Sequence, residues 1–290
     1  MDGIACQQRE RGSVYLLNKL VLLFKPLIVR FPKVAAMYRV VRDQLDSLGE
    51  PQLTKWGFKL AGNTAMANGT FEPIETAFVR KILNEVDILV NVGANVGYYC
   101  CHALSMDKRV IAFEPIERNL RYLYKNIKAN CWNEVEVFPM ALSNHIGILE
   151  IYGGDTGASL VKGWAGIAES YKTLVPCSTM DLLLNNRLYG KRVLILMDVE
   201  GAEKWVLEGA KKMLNNEPKP IWLMEITAEA HQPNGTHFNP YFKETFEFFF
   251  DHGYKAFAVS QNLLPISIED VDKICNGHLS MNTHNFLFKQ

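Results

Sequence analysis

Polar or acidic side chains stand at the ends of four short apolar runs in this sequence, at Asn91, Glu114, Asp198 and Glu225. A short apolar run bounded by turn signals is typical of a buried strand. Ligands of mostly parallel sheets bind beyond the carboxyl ends of the strands. These four side chains, together with Glu200 just after Asp198, are therefore the candidates for contact with a ligand or for proton transfer.

A glycine-punctuated turn at residues 93–97 follows the first of these runs. An apolar segment at helical spacing comes next, so the predicted order is strand, tight turn and helix. This layout points backbone N–H groups at a nucleotide-like ligand. Two ligand classes compete for such a turn, dinucleotides and S-adenosylmethionine.

The residues of the turn favour the second class. The dinucleotide fingerprint Gly-x-Gly-x-x-Gly would place its second glycine on Asn95 and its third on Tyr98, where side chains do not fit well. The alternative frame, with glycines only at Gly93 and Gly97, suits a ligand that has no pyrophosphate. Glu114 closes the next strand, where an acid can accept hydrogen bonds from both ribose hydroxyls.

The elements that position these residues alternate between strand and helix. Strands are predicted for five apolar runs, at residues 86–92, 109–113, 135–142, 193–199 and 220–226. Apolar strands that alternate with helices indicate a mostly parallel sheet covered on both faces. A return strand at residues 148–152 predicts a hairpin with the third strand. The glycine-rich segment 153–170 predicts a long functional loop.

The composition is that of an ordinary globular protein. Its 290 residues include 31 basic and 31 acidic residues, and 48% of them are hydrophobic. A chain without net charge has no global field that attracts nucleic acid or acidic membranes, so no nucleic-acid partner is expected. The six cysteines follow neither a zinc-binding spacing nor a disulfide framework, which favours a reducing, cytoplasmic location.

The N-terminal part differs from the rest of the chain. Residues 1–53 are predicted to form a helical extension, and residues 54–290 the main domain. Residues 14–31 are strongly apolar, but internal lysines and Pro26 argue against a transmembrane helix. Two interpretations stay open: a helix that lies on a membrane surface or a partner, and a helix that packs on its own domain or on a second copy.

Five motifs together resemble those of the FkbM-type methyltransferases. They are Asn-Val-Gly-Ala-Asn-Val-Gly-Tyr at residues 91–98, Phe-Glu-Pro at 113–115, Asn-Ile-Lys-Ala-Asn at 126–130, Ala-Leu-Ser at 141–143 and Met-Asp-Val-Glu-Gly-Ala-Glu at 197–203. The resemblance extends from residue 54 to residue 259. It implies a Rossmann-like class I methyltransferase fold with a seven-stranded, mostly parallel sheet and helices on both faces. It also implies S-adenosyl-L-methionine as cofactor and O-methylation of a hydroxyl on a sugar, a glycan or a small natural product.

The resemblance also implies roles for individual residues. The glycine turn would lie under the methionine part of the cofactor, and Glu114 would hold the ribose hydroxyls. Asp198 would act as the general base or orient the acceptor, with Glu200 and Glu225 as the next candidates. A divalent-metal site on these three acids is the alternative. The predicted cofactor-binding residues are Asn91, Gly93, Ala94, Asn95, Gly97, Tyr98, Glu114, Pro115, Asn119, Ala141, Leu142, Ser143 and Asp198.

Two positions depart from the family pattern. Asn91 stands where an acid is common, and Met197 stands where a basic residue is common. Asn91 can form hydrogen bonds, but it brings no negative charge toward the methionine amine or the sulfonium of the cofactor. A non-catalytic binding or scaffolding protein that keeps the fold therefore stays open. N-methylation in the same fold also stays open, because the cofactor turn is the same for both reactions.

Overall fold

The computed structural model describes residues 49–154 and 157–290. The predicted N-terminal extension and its apolar segment 14–31 lie outside the described residues, except for the last few residues of the extension. The described part begins with a small two-stranded sheet, in which Gln52–Leu53 (β1) pairs antiparallel with Lys59–Leu60 (β2).

Strands and helices alternate through the remainder. The other strands are Ile88–Val92 (β3), Arg109–Phe113 (β4), Val135–Phe138 (β5), Ala141–Leu142 (β6), Gly147–Tyr152 (β7), Lys172–Ser178 (β8), Val193–Met197 (β9), Ile221–Glu225 (β10), Lys255–Ala258 (β11), Leu264–Ile266 (β12) and Asn285–Lys289 (β13). The helices are Thr64–Asn68 (α1), Pro73–Leu83 (α2), Tyr98–Leu104 (α3), Glu117–Ala129 (α4), Met180–Leu184 (α5), Glu203–Glu208 (α6), Lys211–Leu214 (α7), Phe242–Asp251 (α8) and Ile268–Cys275 (α9). Among the described residues, none of the helices has the length and apolar character needed to cross a membrane.

The main sheet has the strand order β12-β11-β13-β10-β9-β3-β4-β5. Five consecutive strands, β5, β4, β3, β9 and β10, run parallel, and β13 runs antiparallel to both of its neighbours. This order confirms the predicted fold class, with seven strands from β11 to β5 in the expected arrangement. The short strand β12 adds an eighth member at the edge, antiparallel to β11, which the sequence did not predict.

Helices cover both faces of the sheet, as predicted. Helices α2, α3 and α4 bury one apolar cluster, which includes Leu83, Leu104 and Leu123. Helices α5 to α9 bury a second cluster on the opposite face, which includes Trp222 and Phe246. Each fully buried side chain of this size stabilises the fold by ~1.5–3 kcal/mol relative to exposure, so the strand ends are held firmly in place.

The predicted hairpin between the third strand and residues 148–152 is wrong. The third apolar run breaks after Phe138, because Pro139 has no N–H to continue the strand ladder. The chain then leaves the main sheet, and β6, β8 and β7 form a separate three-stranded sheet in that order. Strand β7 pairs antiparallel with β8, the strand beyond the glycine-rich loop. This arrangement brings the small sheet to the carboxyl end of β4.

Candidate functional site

A cavity opens at the carboxyl ends of β3, β4 and β9, where ligands of such sheets bind. It contains about 580 Å³ of empty space, part of which is open to solvent. Its wall combines the glycine turn, the ends of β4 and β9, the small sheet and the loop between β7 and β8. The lining residues are Val92, Gly93, Asn95, Phe113, Glu114, Pro115, Ile116, Asn119, Met140, Ala141, Leu142, Ile151, Ala158, Leu160, Asp198, Val199 and Glu200.

The glycine turn lets two segments of backbone pack closely, and its first N–H groups donate within the chain rather than to a ligand. Gly93 has φ +80°, and a β-carbon there would lie 1.9 Å from the carbonyl oxygen of Asp198. The N–H groups of Gly93 and Ala94 both donate to the carbonyl of Phe113, and that of Asn95 donates to Glu114. The expectation that the turn points its N–H groups at the ligand is therefore wrong for these three groups.

Glu114 is buried and held by three donors from its own chain. The N–H of Asn95 donates to Oε2 at 2.7 Å, and the N–H of Ile116 donates to Oε1 at 2.8 Å. The side chain of Asn119 donates to Oε1 at 3.3 Å. Burial raises the pKa of Glu114 to about 7, although the donors act in the opposite direction. The carboxylate is thus fixed in orientation at the cavity wall.

Asn119 offers the cavity a second polar atom. Its side chain is buried, and its Oδ1 has no hydrogen-bond partner among the described residues. A buried acceptor without a donor costs ~1–3 kcal/mol, so this atom gains from a ligand that brings an N–H or O–H group. Asn119 therefore adds an unused acceptor beside Glu114.

Four carboxylates interact near the end of β9, and two of them, Asp198 and Glu200, line the cavity; we call Glu72, Asp198, Glu200 and Glu225 the acidic cluster. Burial raises the pKa of Asp198 well above its usual range, and the neighbouring charges of Glu225, Glu200 and Glu72 raise it further. Burial, followed by Glu200 and Glu72, raises the pKa of Glu225 to about 7. Burial and like charges at close range favour protonated forms, so these acids hold protons more tightly than exposed carboxylates do.

Glu200 has partners that the other members of the cluster lack. The indole Nε1 of Trp164 donates to Oε2 of Glu200 at 2.7 Å, and the hydroxyl of Ser159 donates to its backbone carbonyl. The Nδ1 atom of His231 lies 4.0 Å from the same Oε2. Glu200 itself adopts φ +54°, an uncommon value for a residue with a side chain. The contacts hold this strained residue at the cavity wall.

Glu72 and Tyr99 belong to the site although the sequence did not indicate them. Glu72 precedes α2 with φ +38° and makes no side-chain cap to that helix. Its carboxylate instead accepts a hydrogen bond from the hydroxyl of Tyr99 at 2.8 Å and contributes to the electrostatics of Asp198. In the sequence, Pro73 signals a helix start, and such a signal says nothing of a site role for the residue before it.

Several predicted site residues lie away from the cavity surface. Ala94 packs in the core and Gly97 begins α3 against Leu123. The hydroxyl of Tyr98 pairs with Thr76 at 3.0 Å inside an aromatic cluster. The carbonyl of Ser143 faces Gly209, and Glu225 stands behind Asp198 in the acidic cluster. Cofactor contacts for these residues stay predictions, whereas Gly93, Asn95, Glu114, Pro115, Asn119, Ala141, Leu142, Asp198 and Glu200 all line one cavity.

The two departures from the family pattern are both buried. Met197 is fully buried in the core and does not line the cavity. Asn91 is 1% exposed; its Nδ2 donates to the sulfur of Cys100 at 3.4 Å, and its Oδ1 lacks a partner among the described residues. Strand alternation turns Asn91 toward α3, so a charge at this position would be buried beside a thiol. In the described part of the chain, no group of three or more acidic, histidine or cysteine side chains has the geometry to hold a metal ion.

The fold is similar to that of solved methyltransferase structures. A SAM-dependent methyltransferase from Agrobacterium tumefaciens aligns with a TM-score of 0.44 and 10% identity, over 84% of this chain and 71% of that chain. The precorrin-6y C5,15-methyltransferase from Geobacter metallireducens aligns with a TM-score of 0.36 and 11% identity, over 73% and 85%. Fibrillarin from Aeropyrum pernix, in complex with natively bound S-adenosyl-L-methionine, aligns with a TM-score of 0.36 and 13% identity, over 70% and 65%. Because these scores are low, the fold assignment rests on the strand order itself.

A search of curated proteins finds no match to the chain. The sequence does match the family model described as the methyltransferase FkbM domain, over residues 91–256. That stretch covers more than half of the 290 residues and contains the glycine turn, Glu114 and most of the acidic cluster. The cofactor of such methyltransferases is S-adenosyl-L-methionine. The chain belongs to the FkbM methyltransferase family.

Proposed function

We propose that the protein transfers the methyl group of S-adenosyl-L-methionine to a hydroxyl of a sugar, a glycan or a small natural product. One observation carries the proposal: a single cavity has Glu114 on one wall and Asp198 with Glu200 on another. The cofactor supplies an electrophilic methyl group on a sulfonium. The protein then has to hold the cofactor on one side and align a nucleophile on the other.

The cofactor side of the cavity fits S-adenosyl-L-methionine. A carboxylate has about four lone-pair sites, and Glu114 uses three of them, so it keeps capacity to accept from a ribose hydroxyl. The unpartnered Oδ1 of Asn119 can accept from a second hydroxyl or an amine. Leu142 and Ile151 provide apolar surface for an adenine ring. The absence of a β-carbon at Gly93 lets the turn pack directly against the backbone of Asp198.

The acidic cluster fits a hydroxyl acceptor. A sugar hydroxyl is a poor nucleophile unless its proton is removed as it attacks, and a positioned base contributes ~10²–10⁴-fold to the rate. Asp198 and Glu200 line the cavity, where they can accept that proton or orient the hydroxyl. Several carboxylates together also provide the acceptors that a polyhydroxylated substrate satisfies. Their negative charge favours the cationic sulfonium nearby.

A methyl-transfer screen tests this function. The full chain is incubated with S-adenosyl-L-methionine that carries an isotope-labelled methyl group and with a panel of methyl glycosides, free sugars and glycans. We expect one acceptor class to gain the label on oxygen, which mass and the carbon chemical shift of the methyl group establish. Label on nitrogen would support N-methylation instead. Cofactor binding without transfer to any acceptor would support a binding protein that keeps the fold.

A further inference from the structure

The loop between β7 and β8 places one buried indole against the acidic cluster. Trp164 is 2% exposed, and its Nε1 donates to Oε2 of Glu200 at 2.7 Å. Its ring packs against Gly201, where a β-carbon would lie 2.5 Å from the nearest ring atom. Ser159 and Ala158 of the same loop reach the backbone of Glu200 and the cavity wall. One loop thus fixes both the main chain and the carboxylate of Glu200.

His231 completes this arrangement from a different loop. The N–H of Ala165 donates to the carbonyl of His231 at 2.7 Å, which ties the two loops together. The imidazole lies edge-on to the indole of Trp164, with 6.0 Å between ring centroids, and its Nδ1 lies 4.0 Å from Oε2 of Glu200. The side chain of His231 is 53% exposed, which places a solvent-exposed group next to Glu200. Glu200 therefore lies close to solvent, to which a proton can leave the site.

Asp198 and Glu200 both line the cavity, but their surroundings differ. The charged groups that act on Asp198 are all carboxylates, namely Glu225, Glu200, Glu72 and Glu203. Burial raises the pKa of Glu200 as well, but the hydrogen bond from Trp164 and the neighbouring His231 act in the opposite direction and favour its ionised form. Two neighbouring acids with such opposed surroundings take opposite roles, one as a protonated donor and one as a base.

We infer that Glu200, rather than Asp198, is the base on the acceptor side, and that Trp164 is its positioning residue. The inference rests on the proposed methyl transfer to a hydroxyl. In that step the acceptor oxygen bonds to the methyl carbon, the carbon–sulfur bond breaks, and its electron pair stays on sulfur as a neutral thioether. The acceptor proton moves to Glu200 and from there to solvent. Asp198, buried among carboxylates, donates a hydrogen bond to the acceptor from its protonated form.

Two cofactor analogues test the inference without an identified acceptor. Sinefungin carries an ammonium-bearing carbon in place of the methylsulfonium, and S-adenosylhomocysteine has an uncharged thioether there. Calorimetry gives the ratio of their affinities for the full chain. If Glu200 faces the reacting methyl group, Glu200→Gln lowers the preference for sinefungin about tenfold, the size expected for a charge-assisted hydrogen bond. Asp198→Asn changes the ratio less.

The pH dependence of the sinefungin preference tests whether Trp164 positions Glu200. Trp164→Phe removes the N–H donor that favours the carboxylate, so the rise of the sinefungin preference with pH moves to higher pH. His231, Asp198, Glu203 and Glu225 face Glu200 and are unchanged in this variant. Trp222→Phe is the matched control, because Trp222 is equally buried and donates to Tyr254 at 3.3 Å away from the cavity. It leaves the pH dependence in place.

The outcomes separate this inference from the proposed function. If the unmodified chain binds neither analogue, the proposed function fails. If it binds both, but Glu200→Gln leaves the ratio unchanged, the inference is wrong. An equal pH dependence in Trp164→Phe and the unmodified chain overturns the positioning role. Should Trp164→Phe not fold, as judged by its melting and its affinity for S-adenosylhomocysteine, Glu200→Gln decides alone because glutamine preserves the shape of the side chain.

Discussion

Glu114 and Asp198 line the same cavity, yet the chain surrounds them in opposite ways. Glu114 accepts three hydrogen bonds from its own chain, two of them from backbone N–H groups. Asp198 is buried among other carboxylates, and both its burial and their charges raise its pKa. The first setting fixes a carboxylate for binding before any ligand arrives. The second keeps like charges close together, at a cost in stability that a cationic ligand or a shared proton relieves.

Gly93 packs against the backbone of Asp198 and donates to Phe113, the residue before Glu114. Its substitution should therefore have the largest effect on cofactor affinity. In Gly93→Ala the new β-carbon would lie 1.9 Å from the Asp198 carbonyl oxygen, at φ +80°. Strain and overpacking of about 3 kcal/mol correspond to a loss of cofactor affinity of ~100-fold or more, measured by calorimetry. Gly147→Ala is the control, since the nearest atom to its β-carbon lies at 3.6 Å. Near-normal affinity in Gly93→Ala would contradict the close packing described for the turn.

Removal of the pre-organised carboxylate comes next in size. Glu114→Ala should weaken binding of S-adenosyl-L-methionine about 10- to 100-fold, because charge-assisted hydrogen bonds contribute ~1.5–3 kcal/mol. The control Glu117→Ala removes an exposed acid of α4 that forms a surface ion pair with Arg121. Calorimetry measures both variants. Equal affinities for Glu114→Ala and the unmodified chain would mean that the ribose binds elsewhere.

The crowded carboxylates around Asp198 should destabilise the protein at high pH, so replacing one of them, Glu225, should raise its stability there. The pKa of Glu225 is about 7 in the folded protein against 4.5 for the ordinary group, so the folded state binds more protons. Its contribution to stability is full at low pH and is lost as pH rises from 4.5 through 7. Glu225→Gln escapes this loss, and we expect its melting temperature to exceed that of the unmodified chain at pH 8 but not at pH 5. The size is about 2–4 °C for each kcal/mol relieved.

Glu136 is the comparison for that experiment. Arg109 and Arg187 lower its pKa, so its contribution has the opposite sign and is lost as pH falls. Glu136→Gln should therefore give no increase in melting temperature at pH 8. A gain for both variants would point to a general effect of removing negative charge rather than to the crowding of carboxylates around Glu225.

The smallest effect on cofactor affinity is expected for loss of the Tyr99 hydroxyl, which donates to Glu72. Tyr99→Phe removes the donor to Glu72, a loss of ~0.5–1.5 kcal/mol, and should lower cofactor affinity about 2- to 10-fold in calorimetry. Tyr98→Phe removes a hydroxyl that pairs with Thr76 instead. A larger loss in Tyr98→Phe than in Tyr99→Phe would restore the sequence-based role of Tyr98 and remove Glu72 from the site.

The sequence predicted the parts of the site that depend on neighbouring residues in the chain. Apolar runs that end in acids placed Glu114 and Asp198 at the carboxyl edge of the sheet, and the structure brings both to one cavity. The glycine spacing identified the turn. Local patterns of this kind survive folding because the strands on which they stand are buried on both faces.

The sequence could not predict what depends on distant contacts or on rare backbone conformations. Glu72 and Glu200 reach the site through positive φ values, and no residue type other than glycine signals such values strongly. Trp164 lies in a loop whose position depends on β7 pairing with β8, which the hairpin prediction missed. The N–H groups of the glycine turn donate to Phe113 and Glu114 at the end of a neighbouring strand, and local sequence patterns do not show such contacts.

Calorimetric titration of the full chain with S-adenosyl-L-methionine tests whether Glu114 holds the cofactor. We expect one binding site whose affinity weakens as pH falls below about 7, because ribose hydroxyls favour the ionised form of Glu114 and its pKa in the free protein is about 7. Glu114→Ala should weaken binding and reduce this pH dependence, and the part that remains belongs to the acidic cluster. Absence of binding at millimolar cofactor, or an affinity that does not respond to Glu114, would show that Glu114 does not hold the cofactor.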